Sequence, residues 1–159
     1  MVVYDNPLDL EEAEKKGIEL PALVFFPDSV AIDSGDTVTL RVFAMEVQNL
    51  GGYHIQVIYD TSKLNLTSVE VGEFFDSTAT PMFFYSEDTT SSLIDIYGIS
   101  LGTDSLAFAS GTGNLAHMVF NAEGLGKSTI QFTQESELVT ADDNPIEIKA
   151  YLEAIIQVE

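Results

Sequence analysis

The chain has 159 residues, six of them basic and twenty-six acidic, giving a formal net charge of −20 and a sequence pI near 4.1. A surface this negative argues against nucleic acid or an anionic membrane as a partner, because both would repel it. The absence of cysteine excludes disulfides, thiolate metal sites and a cysteine nucleophile. A hydrophobic fraction of 45 %, with ten Phe and six Tyr, supplies enough apolar material for one folded core. No stretch approaches the length of apolar chain needed to cross a bilayer as a helix, so no membrane insertion is expected. The first residues lack the basic and apolar regions of a secretory signal; if the parent protein is exported, the chain is a fragment lacking its signal peptide.

In chain order, the first element is a helix over residues 6–17. Asn6 can cap it, Pro7 suits its first position, Lys15 and Lys16 fall in its last turn, and Gly17 can end it. Residues 1–20 are therefore read as a helical arm or linker, and residues 21–159 as the domain. From Leu20 onward the hydrophobic period becomes two. A first strand with a kink at Pro27 covers residues 22–32, followed by strands over 37–47, 53–59, 64–71, 82–86, 93–100, 115–122, 129–132 and 149–158. Turn chemistry separates them at 33–36, 49–52, 111–114, 123–126 and 142–145. About nine short strands without crossover helices predict an all-β sandwich.

Few residues point to chemistry. Neither His54 nor His117 lies in a ligand-spaced motif, so no metal site is expected, and His117 is placed outward on its strand with Leu115 and Val119. Asp142, Asp143 and Asn144 are read as a turn, being too few oxygens for calcium without further ligands. Asn65-Leu66-Thr67 fits a glycosylation acceptor, a pattern frequent by chance. No nucleophile elbow and no phosphate-cradling loop occur, so no enzyme and no cofactor are expected.

The order of motifs resembles the cohesin family, the scaffoldin modules of cellulosomes. Ser34-Gly35-Asp36-Thr37-Val38-Thr39-Leu40 and Val47-Gln48-Asn49-Leu50-Gly51-Gly52-Tyr53 are similar to a cohesin opening. Ile55-Gln56-Val57-Ile58-Tyr59-Asp60-Thr61-Ser62-Lys63-Leu64 resembles the family's Tyr-Asp segment, with Val69-Glu70-Val71-Gly72 continuing it. The stretch from Gly111 to Phe120 resembles the glycine-rich turn and following strand, and that from Ser136 to Ile146 closes the pattern, with Asp143 where a Gly is usual. The resemblance covers residues 22–158. It implies a nine-stranded jelly-roll β-sandwich that binds a dockerin-like module, calcium-loaded on the partner's side, in an extracellular or cell-surface assembly.

Strand alternation orients the candidate face. In the third strand Tyr53, Ile55, Val57 and Tyr59 turn inward, leaving His54, Gln56 and Ile58 outward. In the sixth, Asp95, Tyr97 and Ile99 form the more polar set and are placed outward. In the fifth, composition does not choose between Phe83 with Tyr85 and Met82 with Phe84 and Ser86. The resemblance carries contacts onto Gly52, His54, Tyr85, Tyr97, Ile99 and Ser100. The expected partner-binding set is thus Gly52, His54, Gln56, Ile58, Tyr85, Asp95, Tyr97, Ile99 and Ser100. Two other readings remain open: a carbohydrate-binding module with a flat aromatic face, and a structural segment of a surface or adhesion protein.

Overall fold

The structure is a computed structural model that describes residues 17–75, 81–100 and 108–159. These residues form twelve strands and no helix: β1 (Ala22–Phe26), β2 (Ser29–Ile32), β3 (Thr37–Ile58), β4 (Leu64–Val71), β5 (Pro81–Asp88), β6 (Leu93–Ser100), β7 (Ala109–Ala122), β8 (Gly126–Phe132), β9 (Glu137–Thr140), β10 (Pro145–Ile146), β11 (Ala150–Tyr151) and β12 (Ala154–Val158). The all-β expectation holds. The helix expected over residues 6–17 lies almost wholly outside the described residues.

The 22-residue β3 organises the molecule. Its first half lies between β1 and β7, and β4 adds to β7's far edge. Its second half pairs with β6 on one edge and with β9 and β8 on the other, while β5 extends the sheet beyond β6. One strand thus passes through both layers of a curled sheet. The expected strands over 37–47 and 53–59 are halves of this single element, and residues 49–52 are no turn. Register shifts beside Val47 mark bulges instead, with Glu46 and Asn49 in the left-handed region at φ 52° and 59°. The Glu46 and Asn49 amides, which the bulges take out of the ladder, donate to Thr112 Oγ1 at 3.1 Å and to Ser110 Oγ at 2.9 Å. Gly111–Asn114, also expected as a turn, is part of β7 opposite those bulges.

Pro27 does more than kink a strand. β1 pairs with β3 and β11, whereas β2 pairs in parallel with β12, so the break at Pro27 delivers consecutive segments to different neighbours. The expected strand over 149–158 is likewise split into β11 and β12, and β9 and β10 were not anticipated.

The core fills the space between the layers. Leu23, Phe25, Leu40, Val42, Ile55, Val57, Ile94, Ile96, Met118, Phe120 and Ile156 are all fully buried. Phe25 of β1 stacks on Phe132 of β8 with centroids 4.1 Å apart, and Tyr59 meets Phe120 edge-on at 5.2 Å. Tyr53 crosses the core, its hydroxyl donating to Leu115 O at 3.0 Å. Its ring occupies the space a side chain at position 98 would need: a Cβ on Gly98 would stand 2.3 Å from Tyr53 Cζ.

The expected placement of Leu115 beside His117 fails. Val42 pairs with Ala116 and Phe43 with Asn114, so Leu115 is the extra residue of a bulge and is buried, while His117 stays half-buried at the surface.

Candidate functional site

The outer face of the layer formed by β5, β6, the second half of β3 and β9 follows from the register. Residues directly opposite on neighbouring strands share a face. Gly52 stands opposite Ile99, His54 opposite Tyr97, and Gln56 opposite Asp95. On the next strand out, Met82, Phe84 and Ser86 stand opposite Ile99, Tyr97 and Asp95. On the other edge of β3, Val139 stands opposite Gly52 and Glu137 opposite His54.

One cross-strand row is aromatic throughout. The His54 ring stacks on Tyr97 with centroids 4.5 Å apart and planes 4° from parallel, and Phe84 stacks on Tyr97 at 4.7 Å and 15°. Those separations match the spacing of neighbouring strands, about 4.8 Å, so the sheet itself holds the rings in contact. Tyr97 is covered on both of its ring faces.

The neighbouring row is polar. Asp95 Oδ1 accepts from His54 Nε2 at 2.7 Å and from Gln56 Nε2 at 2.9 Å. Because an ionised carboxylate only accepts, this contact places a proton on Nε2 of His54. Gln56 Oε1 accepts from Thr133 Oγ1 at 2.7 Å, and the Gln56 amide donates to Ser136 Oγ at 2.9 Å. A chain of satisfied hydrogen bonds thus runs from the loop after β8 to the aromatic row.

Beside the row, Gly52 leaves an open hollow of about 350 Å³. Its lining includes His54, Phe84, Ile99, Val139, Glu137 and Asp143. Asp143 belongs to the expected 142–145 turn, at φ 63°, with its amide donating to Thr140 O at 3.0 Å. Aspartate tolerates this left-handed position, which accounts for its standing where a Gly is usual.

Of the sequence-derived candidates, Gly52, His54, Gln56, Ile58, Asp95, Tyr97 and Ile99 stand on this one face. Two do not. Tyr85 stands opposite Ile96 and so points to the opposite side of the sheet, as does Ser100, which pairs with Pro81 and alternates with Ile99. Met82 and Phe84, half or more exposed, take the place assigned to Tyr85. The sequence could not choose because residues 82–85 are apolar or aromatic on both sides, leaving no polar alternation to read.

His117 lies in the other layer, where Asn114 Nδ2 stands 2.5 Å from its Nε2 and donates to Glu73 Oε2 at 3.0 Å, the Glu73 carboxylate itself being 3.8 Å from His117 Nε2. Among the described residues no group of three or more His, Cys, Asp or Glu is placed to hold a metal ion. No helix among them is long and apolar enough to cross a membrane.

The fold is thus a curled all-β sandwich whose β5–β6–β3–β9 layer presents an aromatic row on its outer face. The sequence profile of the cohesin domain matches residues 24–156. The chain therefore belongs to the cohesin family. Solved structures with the same fold include a non-cellulosomal cohesin from the hyperthermophilic archaeon Archaeoglobus fulgidus, at 16 % identity and TM-score 0.69, covering 87 % of this chain and 91 % of that one. The sixth cohesin of scaffoldin B from Acetivibrio cellulolyticus, solved with a dockerin, is 18 % identical at TM-score 0.72, covering 87 % and 98 %. The cohesin of a type I cohesin–dockerin complex from Clostridium thermocellum is 16 % identical at TM-score 0.71, covering 87 % and 99 %. No curated protein sequence matches the chain.

Proposed function

We propose that the chain is a non-catalytic module that captures a dockerin-like partner, calcium-loaded on the partner's side, on the β5–β6–β3–β9 face. The assembly it serves is extracellular or on a cell surface. The observation that carries this reading is the row His54–Tyr97–Phe84, an ordered aromatic strip flanked on one side by apolar Met82 and Ile99, with Ile58 beyond the polar row on the other. Ile58, Met82, Phe84 and Ile99 are exposed at 39–57 %, although elsewhere large apolar side chains are mostly buried. Aromatic anchors set among satisfied polar groups are what interface hot spots are made of. The contacts assigned are Gly52, His54, Gln56, Ile58, Asp95, Tyr97 and Ile99, joined by Met82 and Phe84. The nine-stranded jelly-roll order, residues 21–159 as the domain and residues 1–20 as a helical arm belong to the same reading.

The ring geometry disfavours the carbohydrate alternative. A sugar platform needs ring faces open to solvent, and both faces of Tyr97 are taken by its neighbours. Calorimetric titration with a panel of dockerins, in calcium and in chelator, tests the proposal. Binding in calcium alone is expected, and Tyr97→Ala should weaken it by about 2 kcal/mol or more, roughly 30-fold. Retention on cellulose with no dockerin bound would overturn it.

A further inference from the structure

Resting on that reading of the face, we propose that the hollow at Gly52 is a subsite for one cationic side chain, a lysine or arginine projecting from the partner. Three features of the hollow point to this occupant. Its floor is open because position 52 has no side chain: a Cβ there would stand 3.3 Å from Val139 Cγ2, 3.4 Å from Gly98 O and 3.7 Å from Ile99 Cγ1. Its walls, Ile99, Val139 and Phe84, are apolar and suit the aliphatic stem that lysine and arginine share. Its rim carries two carboxylates, Glu137 at the start of β9 and Asp143 in the following turn, while among the described residues no lysine or arginine lines it.

Size and charge agree. A volume of about 350 Å³ admits a single long side chain and not a folded element. His54 also lines the hollow, but its Nε2 is directed to Asp95, and among the described residues no ion pair joins a cation to Glu137 or Asp143. In a chain of net charge −20, a second copy of the same face is the least favourable occupant, because its carboxylates would meet these. The sequence pattern of the third strand gives no hint of the hollow. It arises where a glycine on β3, a turn after β9 and the end of β6 come together.

The test uses the free ¹⁵N-labelled chain and small probes, so its outcome is independent of whether any dockerin binds. N-acetyl-arginine amide, N-acetyl-lysine amide and the uncharged N-acetyl-citrulline amide are titrated while backbone amide shifts are followed. The two cationic probes should move Gly52, Gly98, Val139 and Asp143 saturably at millimolar concentration, and citrulline should not. Glu137→Gln with Asp143→Asn keeps size and the left-handed turn, and should weaken the arginine probe at least about fivefold, the scale of two exposed charge contacts. Gly52→Ala should weaken all cationic probes by narrowing the floor. Equal shifts from citrulline, shifts located elsewhere, or indifference to the double neutralisation would each overturn the subsite. Loss of dockerin capture with the probe result intact would instead remove the proposed partner and leave the subsite standing.

Discussion

Asp95 shows how much of the face depends on a single atom. Its Oδ1 gathers His54 and Gln56, and His54 in turn lies flat against Tyr97. The carboxylate is only about one-fifth exposed, so these bonds form where water competes poorly. Asp95→Ala leaves two donors on β3 without their acceptor, which costs about 1–2 kcal/mol of folding stability. Urea denaturation reads that loss. The Nε2–H resonance of His54 should broaden or vanish in the same variant, and Asp95→Asn, whose amide oxygen can still accept, should restore part of both. An unchanged His54 spectrum in Asp95→Ala would mean that the ring is held by stacking alone.

At the scale of elements, β3 and β6 are locked by a fit between a glycine and a tyrosine. The Tyr53 ring lies over Gly98, with Cζ, Cε1 and the hydroxyl all within 2.5 Å of where a Cβ would stand. Gly98→Ala therefore forces the ring aside and overpacks the core, at a cost of roughly 1–3 kcal/mol. Tyr53→Phe keeps the packing and removes only the bond to Leu115 O, a carbonyl beside the β7 bulge. Its cost is about 1–3 kcal/mol if no water reaches that oxygen. Thermal denaturation of the two single variants separates packing from hydrogen bonding at this crossing. A β6 edge still ordered as in wild type, with no loss of melting temperature in Gly98→Ala, would contradict the crowding. The bulges in β3 belong to the same scale: Ser110 and Thr112 hold the amides they expose, so one strand can serve both layers.

The whole molecule is set by its charge and by its tyrosines. Burial pushes the Tyr53 phenol well above its ordinary range, and burial together with the Glu87 carboxylate does the same for Tyr59. A group whose pKa is raised on folding contributes stability that is complete below its unfolded value, near 10, and is lost as pH rises beyond it. Stability in urea should accordingly fall above about pH 10, and Tyr53→Phe should flatten that fall. A denaturation midpoint constant from pH 9 to 12 would contradict the assignment. The net charge of −20 sets a second whole-molecule expectation. Association with a basic partner should slow as salt rises from about 0.05 to 0.5 M, chiefly through the on-rate, since the Debye length shrinks several-fold. Stopped-flow association at those salts measures it, and a rate indifferent to salt would place recognition on the aromatic row alone.

What the amino-acid order determined by itself was the class and the parity. Alternation from Tyr53 to Tyr59 and from Ile94 to Ile99 is a local property, and side chains pointing to opposite faces follow from backbone geometry, so inside and outside on β3 and β6 were legible. The charge and the missing cysteines were equally plain. The tertiary structure alone decided matters that depend on which strands are neighbours. Residues 49–52 look like a turn and are bulges, because β7 supplies hydroxyls to amides that a turn would have left to water. Phe84 rather than Tyr85 joins the aromatic row, because the register against β6 fixes parity where an all-apolar strand does not. The hollow at Gly52 exists only because Val139, Asp143 and Ile99, distant in sequence, are brought around a residue with no side chain.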